Sequence, residues 1–482
     1  MLSDVRQEVG RPTPPLAERN WALVAGVITG LVALGLGMLE LRWTVFLLLA
    51  IAVAVVALVV KDKRRLLTVS FILSFQADVY FRLMHGRAGS AGLAFPLAFV
   101  TGAALFGWLY LTNSLPRRHL RLFGTMRNPM IAIFATSCLS LLGTQERFIG
   151  VTQVLFELQL WFVYFVALNV FKTREDVHRV LTLFFVVLAM QTIVYYIQSI
   201  LGVTFTLTGE VIYERGVVPR AGGTVSTNPA GFGSFVIPLL FLVVAFFVTN
   251  DPSRDRRVMA LLGVGGAVAL ILTFTRASWT AFALGSVVMA FIAFRRGLLR
   301  TRDLMILTCV GVVLIGAFSP LIAKRIADSP VNEAYDERAG LMRIAIRVIK
   351  DNPVLGIGNG AYGAVYKGYV QGSDRQWLAT VHNEYLLRGA ETGIPGMIAF
   401  IWFLCAAIKR ANRLSRSPDR TIATLGLAWT CGLVALCWEM YWDIWRGYTY
   451  NALMWMMLGL MELTMEHERE RQESEVTSVR PA

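Results

Sequence analysis

The chain has 482 residues, of which 56% are hydrophobic and 16% charged, with a mean hydropathy of +0.57 and a formal net charge of +14. Soluble domains carry about 25% charged residues, so a water-soluble globular protein is excluded. Apolar runs of about 20 residues, each long enough to cross a hydrocarbon core, recur from end to end. Backbone groups in lipid must be satisfied internally, and no alternating barrel-type strands occur, so the spans are expected to be helices.

In chain order the predicted spans lie near 21–40, 43–60, 66–83, 91–113, 129–143, 153–171, 180–202, 231–249, 258–273, 277–294, 303–323, 390–408, 421–440 and 448–464. The first run has no small-residue cleavage site after it and reads as a retained helix, not a signal peptide. Cys138, Cys309, Cys405, Cys431 and Cys437 all fall in apolar runs without metal-type spacing. They read as small buried hydrophobes, and no disulfides are expected.

The loops between spans alternate in charge. "KDKRR", "LPRRHLRLFGTMR", "KTREDVHR", "SRDRR", "RRGLLRTR" and "KRANRLSRSPDR" are basic and fall on one side, while the other short loops carry one or two basic residues each. The positive-inside rule makes the basic set cytoplasmic. Basic residues confined to short loops argue against a nucleic-acid partner. The tails 1–20 and 465–482 are then cytoplasmic, and the charged C-terminal tail is expected to be disordered. The division expected is membrane helices over 21–202, a central region over 203–408 with outer loops 203–230 and 324–389, and further membrane helices over 409–464. No internal repeat is seen. The predicted class is therefore an all-α polytopic integral membrane protein with about 12–14 transmembrane helices and a long periplasmic loop containing an amphipathic helix.

Of five histidines only His85 and His382 fall on the outer side; His119, His178 and His467 fall on the cytoplasmic side. Three outward stretches accompany His382. "RAGGTVSTNPAGFGSF" places Arg220 before a glycine turn at Gly223–Thr224, then starts a helix at Asn228-Pro229. Its plain reading is a loop with a helix cap. "TFTRASWTAFALG" places Arg276 in a very short turn between apolar runs. An arginine at membrane depth costs at least about 2.5 kcal/mol unless paired or hydrated, and snorkelling to the headgroups is its plain reading.

In "DERAGLMRIAIRVIKDNPVLGIGNGAYGAVY", Leu341, Ile344, Ala345 and Val348 share one face and Arg343, Arg347 and Lys350 another. That pattern predicts a basic amphipathic helix on the outer surface, ended by Asn352-Pro353 and a compact glycine turn. "TVHNEYLLRGAETGIPG" then sets His382, Asn383 and Glu384 just before a span, and Glu384 and Arg388, four apart, are expected to pair on the helix surface. Two further groups have plain readings. Asp78 and Arg82 in "QADVYFR" read as a helical pair inside or at the outer end of a span. "CWEMYWDIWRGYTY", with Glu439 and Asp443, reads as an aromatic belt, with sugar stacking as the alternative.

These residues match a known pattern. "HNEYLLRGAETGIPGMIAFI", "TRASW", "RAGGT…NP" and the Arg338-containing "RAGLMRIAIRVIKDNPVLGIGNGAY" resemble, in order, motifs of the O-antigen ligase/O-antigen polymerase superfamily over roughly 200–405. The resemblance implies a bacterial inner-membrane glycosyltransferase with its site facing the periplasm. Such enzymes take a glycan from a polyprenyl-diphosphate carrier and pass it to lipid A core, to another lipid-linked glycan or to protein, without metal or other cofactor. It implies catalytic roles for His382, Arg276 and Arg220. Arg338, Asn383, Tyr385, Gly223 and Thr224 are the matching candidates for substrate binding. Arginine suits a diphosphate because its planar fork binds bidentately and stays charged. Histidine suits a hydroxyl proton. Ligases are usually described with fewer spans than are counted here, which leaves the acceptor open. The rival expectation is a lipid-linked glycan flippase, which needs a cavity reachable from both sides and usually repeated halves.

Overall fold

The computed structural model describes residues 61–84, 93–115, 120–205, 211–213, 221–226, 228–299, 301–328, 331–372 and 380–479. The chain divides into two units, Met1–Leu66 and Leu67–Ala482. The tail 1–20, the expected spans 21–40 and 43–60, His85, His119 and Arg220 lie outside the described residues.

The described residues are mostly helical. The elements are α1 (Lys63–Ser74), a hairpin of β1 (Tyr80–Met84) and β2 (Leu93–Pro96), α2 (Leu97–Leu111), α3 (Arg127–Leu139), α4 (Arg147–Val170), α5 (Arg174–Leu201), a short β3–β4 pair (Val203–Phe205, Val211–Tyr213), α6 (Pro229–Thr249), α7 (Arg256–Leu272), α8 (Arg276–Arg295), α9 (Thr301–Asp328), α10 (Val331–Asp351), α11 (Tyr362–Val365), α12 (Glu384–Leu414), α13 (Arg420–Trp442) and α14 (Tyr448–Val479). Among the described residues, α4, α5, α6, α8, α12 and α13 are long and apolar enough to cross a membrane, and α9, bent by 42°, would be a seventh. An all-α polytopic membrane protein is the architecture.

Side-chain caps set several helix starts. Thr173 and Asp176 form a reciprocal capping box at α5, and Asn228, Asp255, Asn383 and Asp419 accept from the first-turn amides of α6, α7, α12 and α13. Helices α6 and α13 pack on one another and bury most of their residues; α8 and α12 flank α13. The ends of α13 therefore sit where several helices begin or end.

The basic segments gather at one end of the bundle. Arg121 pairs with Glu466 at 2.6 Å, Arg174 with Asp419 at 3.0 Å, and Arg254 donates to the His178 carbonyl at 2.8 Å. Arg410 bonds Thr125, and Arg296 donates to Asn412 at 2.7 Å. Among the described residues these contacts bring together five of the six basic segments.

Five expectations differ. The span expected at 66–83 ends at Ser74 and gives way to the hairpin, in which Tyr80 pairs with Pro96 and Phe81 with Phe95. Asp78 is in the connecting turn and Arg82 in a strand, so they do not form a helical pair. Val79, Tyr80 and Phe81 suit a pleated strand better than a helix, which local composition outweighed by length concealed. The C-terminal segment is helical to Val479 instead of disordered. Its charges are used: Glu468 accepts from Ser417 and pairs with Arg471, and His467 bonds the Lys172 carbonyl.

The amphipathic helix α10 has the expected faces, with Leu341, Ile344, Ala345 and Val348 all at most 3% exposed. Those residues pack on Tyr362, Tyr366, Leu387 and Ala390, so the apolar stripe covers the start of α12 rather than lying on a lipid surface. Finally, Glu384 and Arg388 do pair, at 2.9 Å, but inside the protein and not on the helix surface.

Candidate functional site at the C-terminal end of α13

The backbone explains the two glycine motifs first. Helix α12 is broken at Gly393, whose φ is +73°. The break leaves the carbonyls of Ala390 and Glu391 without intrahelical partners. The amides of Ile357 and Gly358 take them, each at 3.0 Å, and Ile394 donates in return to the Pro353 carbonyl at 2.8 Å. The approach is too close for side chains. A Cβ on Gly393 would lie 2.2 Å from the Val354 carbonyl oxygen, and one on Gly356, at φ +67°, would lie 2.4 Å from that of Glu391. "GIGNG" and "ETGIPG" are thus two halves of one backbone joint. Gly393→Ala should destabilise the protein by more than about 2 kcal/mol, since it adds both a left-handed alanine and a backbone clash. The unfolding midpoint of purified protein in detergent checks this.

The joint sets the start of α12 against the end of α13. His382 precedes the cap residue Asn383, and its Nδ1 lies 2.8 Å from Oδ1 of Asp443, the residue that ends α13. A carboxylate accepts, so Nδ1 is the donor in this bond, and in the neutral tautomer that makes it, Nε2 is the acceptor nitrogen. Both side chains are about one-fifth exposed, His382 at 22% and Asp443 at 19%, so the pair is held but reachable. Asn383 caps α12 with its side-chain oxygen and donates to the Tyr441 carbonyl at 3.1 Å. Tyr385 donates to the Cys437 carbonyl at 2.8 Å. Both candidates therefore brace the two helices around the histidine.

A buried ionic chain holds the surrounding loops. Arg388 bonds Glu384 and Glu157, and Glu157 also accepts from Asn359 at 3.0 Å. Glu384 accepts from the Trp445 amide at 2.9 Å, and Arg446 bonds Glu391. Buried charges of this kind are tolerated when each is paired and hydrogen-bonded, and removing one partner is costly. The chain ties the 352–362 turn and the segment after α13 to the first turns of α12. Tyr362 lies under this turn, and burial, with Glu391 beside it, holds its phenol well above its usual range, so it stays neutral.

Arg276 is the first residue of α8, after a turn in which Phe274 has φ +52°. Two residues later, Ser278 donates to Oε1 of Glu439 at 2.5 Å, one helical turn before Asp443 on α13. The starts of α8 and α12 therefore meet the same end of α13. Arg338, on α10, reaches that end too: its guanidinium lies 5.9 Å from the ring centroid of Trp442. The aromatic group packs on itself, with Tyr441 and Trp442 edge-to-face at 5.0 Å, and Trp438 donating to Thr280 of α8.

Gly223 and Thr224 are placed differently. Both lie buried in an amide network: Thr224 donates its hydroxyl to the Gln76 carbonyl at 2.6 Å and accepts from Gln191 at 2.7 Å, and Gly223 exchanges two bonds with Gln198. Their polar groups anchor the loop to α5 and to the turn before β1. Sequence reading did not single out Asp443, Glu439, Ser278 or Arg446 as site residues. The one available signal was a carboxylate at the end of an aromatic span, and the aromatic residues absorbed it. Among the described residues no three His, Cys, Asp or Glu side chains converge as metal ligands would.

Fold and site together define a polytopic helical membrane protein with a histidine–carboxylate pair and arginines converging on one end of its bundle. Residues 258–401 match the sequence model of the family described as O-antigen ligase, and this match supports the O-antigen ligase/polymerase superfamily for the chain. The matched stretch holds Arg276, Arg338, His382, Asn383 and Tyr385, and ends before Glu439 and Asp443. No curated protein matches the chain.

Proposed function

We propose that the protein transfers a glycan from a polyprenyl-diphosphate carrier to an acceptor hydroxyl at the periplasmic face of the bacterial inner membrane, in O-antigen or exopolysaccharide assembly. The family match supports a ligase- or polymerase-type membrane glycosyltransferase. The observation that carries the chemistry is the 2.8 Å His382–Asp443 bond beside the start of Arg276's helix.

The acceptor oxygen attacks the anomeric carbon of the carrier-linked sugar, and the bond from that carbon to the diphosphate oxygen breaks. The hydroxyl proton passes to Nε2 of His382. Asp443 orients the ring and stabilises the imidazolium that forms. The diphosphate leaves with its charge, which Arg276 and Arg220 balance, an electrostatic role that needs no metal. Displacement from the opposite face inverts the anomeric centre. Arg338 and the Trp442 ring flank the approach from α10. The acceptor is a glycan or the lipid A core, and membrane lipids surround the bundle.

The test is purified protein in detergent with a lipid-linked glycan, an acceptor, no nucleotide and no gradient. Glycan transfer supports the reading, and a chelator should leave the rate unchanged. Movement of the lipid-linked glycan across a bilayer with no transfer product would make the protein a flippase instead. Orientation is tested separately. Reporters fused after residues 215 and 370 should read periplasmic and one at residue 412 cytoplasmic, following the basic-loop alternation. A cytoplasmic signal at 370 would put His382 on the wrong side for a periplasmic reaction.

A further inference from the structure

One buried carboxylate at this end of the bundle has no part in the reaction as written. Glu439 is 1% exposed and lies on α13 one turn before Asp443, whose amide it receives through its backbone carbonyl at 2.9 Å. Its Oε1 accepts from Ser278, itself fully buried, two residues after Arg276. Helix α6 closes over this bond. A Cβ on Gly233 would lie 2.3 Å from the Ser278 hydroxyl and 3.6 Å from Glu439 Oε1. A carboxylate is costly to bury, and an apolar residue would pack between three helices at lower cost. What a carboxylate supplies there, and a leucine does not, is a directional bond that sets how far α8 stands along α13.

We propose that Glu439 is a positioning residue: through Ser278 it holds the start of α8, and with it Arg276, in register with the His382–Asp443 pair at the end of α13. The leaving diphosphate and the acceptor proton are handled from different helices. Helix α13 touches both, through Glu439 on one side and Asp443 on the other. A shift of α8 by a fraction of a turn would leave both groups intact but misaligned along the line of displacement. The proposal rests on the assignment of Arg276 and His382 to glycan transfer.

The experiment compares Glu439→Ala, Ser278→Ala and the double variant with the wild type, measuring carrier-linked glycan binding and single-turnover transfer separately in detergent. Loss of alignment near 1 Å costs up to about 100-fold, so kcat is expected to fall about 10- to 100-fold in each single variant while donor affinity stays within about twofold. Because both residues serve one bond, the double variant should be no slower than the worse single variant by more than about twofold. Glu439→Gln keeps an acceptor oxygen for Ser278 and should stay within about threefold of wild type. Gly233→Ala changes neither polar group but pushes Ser278 off Glu439, and should reproduce the Ser278→Ala loss.

Should Glu439→Ala misfold, Ser278→Ala and Gly233→Ala still decide the matter. Wild-type kcat in Ser278→Ala, or single effects that multiply in the double variant, overturns the proposal. His382→Ala serves as the control. If it is inactive while Ser278→Ala is fully active, the positioning role alone fails; if His382→Ala is fully active, the reaction assignment fails first.

Discussion

His382→Ala should lower turnover by about 10²- to 10⁴-fold, the range for a positioned acid–base group, while binding of the carrier-linked glycan survives. The separation follows from the placement of the parts. In the proposed reaction the proton acceptor is His382, bonded to Asp443 of α13, whereas the diphosphate charge is assigned to Arg276, which opens α8, and to Arg220. Removing the imidazole leaves the arginines in place. Asp443→Ala should lose less than His382→Ala, because the imidazole remains but is free to rotate and to hold its proton on either nitrogen. His382→Gln retains partial activity if alignment of the acceptor hydroxyl matters more than removal of its proton. Donor binding and product formation are measured separately on purified protein. Wild-type transfer by His382→Ala would reduce His382 to a residue that merely precedes a helix cap.

Arg276→Ala should abolish measurable transfer while the protein still inserts and folds, and Arg276→Lys should recover little. A lysine offers a point charge, whereas the diphosphate is gripped by a planar fork with parallel N–H groups. The position adds to the effect. Arg276 is the first residue of α8, and the N-terminal end of a helix dipole favours an anion. Arg220→Ala is expected to show the same defect less severely. The readouts are transfer rate, donor affinity and the amount of protein in the membrane. Full activity of Arg276→Ala would mark that arginine as an interface anchor.

Much of the fold was legible because it rests on local rules. Apolar runs gave helices at α4, α5, α6, α8, α12 and α13, and the spacing of Leu341, Ile344, Ala345 and Val348 gave α10. The readings that failed needed a partner distant in sequence. The hairpin at 80–96 depends on pairing across its own turn. The C-terminal helix persists because Glu466 and Glu468 find Arg121 and Ser417 on other segments. The stripe on α10 faces α12 and not lipid, and an apolar face has the same pattern in either case.

By itself, then, the sequence determined that this is a helical membrane protein and marked His382, Arg276 and Arg338 as candidates for one site, since hydrophobic length and motif order are written along the chain. Tertiary structure alone decided what those residues touch. His382 and Asp443 are 61 positions apart and Ser278 and Glu439 are 161 apart, so no local period relates them. Gly223 and Thr224 looked like ligand-facing groups until Gln76, Gln191 and Gln198 were found to take their hydrogen bonds. The physical reason is the same in each case. A buried polar group must find a partner, and which one it finds depends on how the helices pack, a property of the whole bundle and not of any one segment.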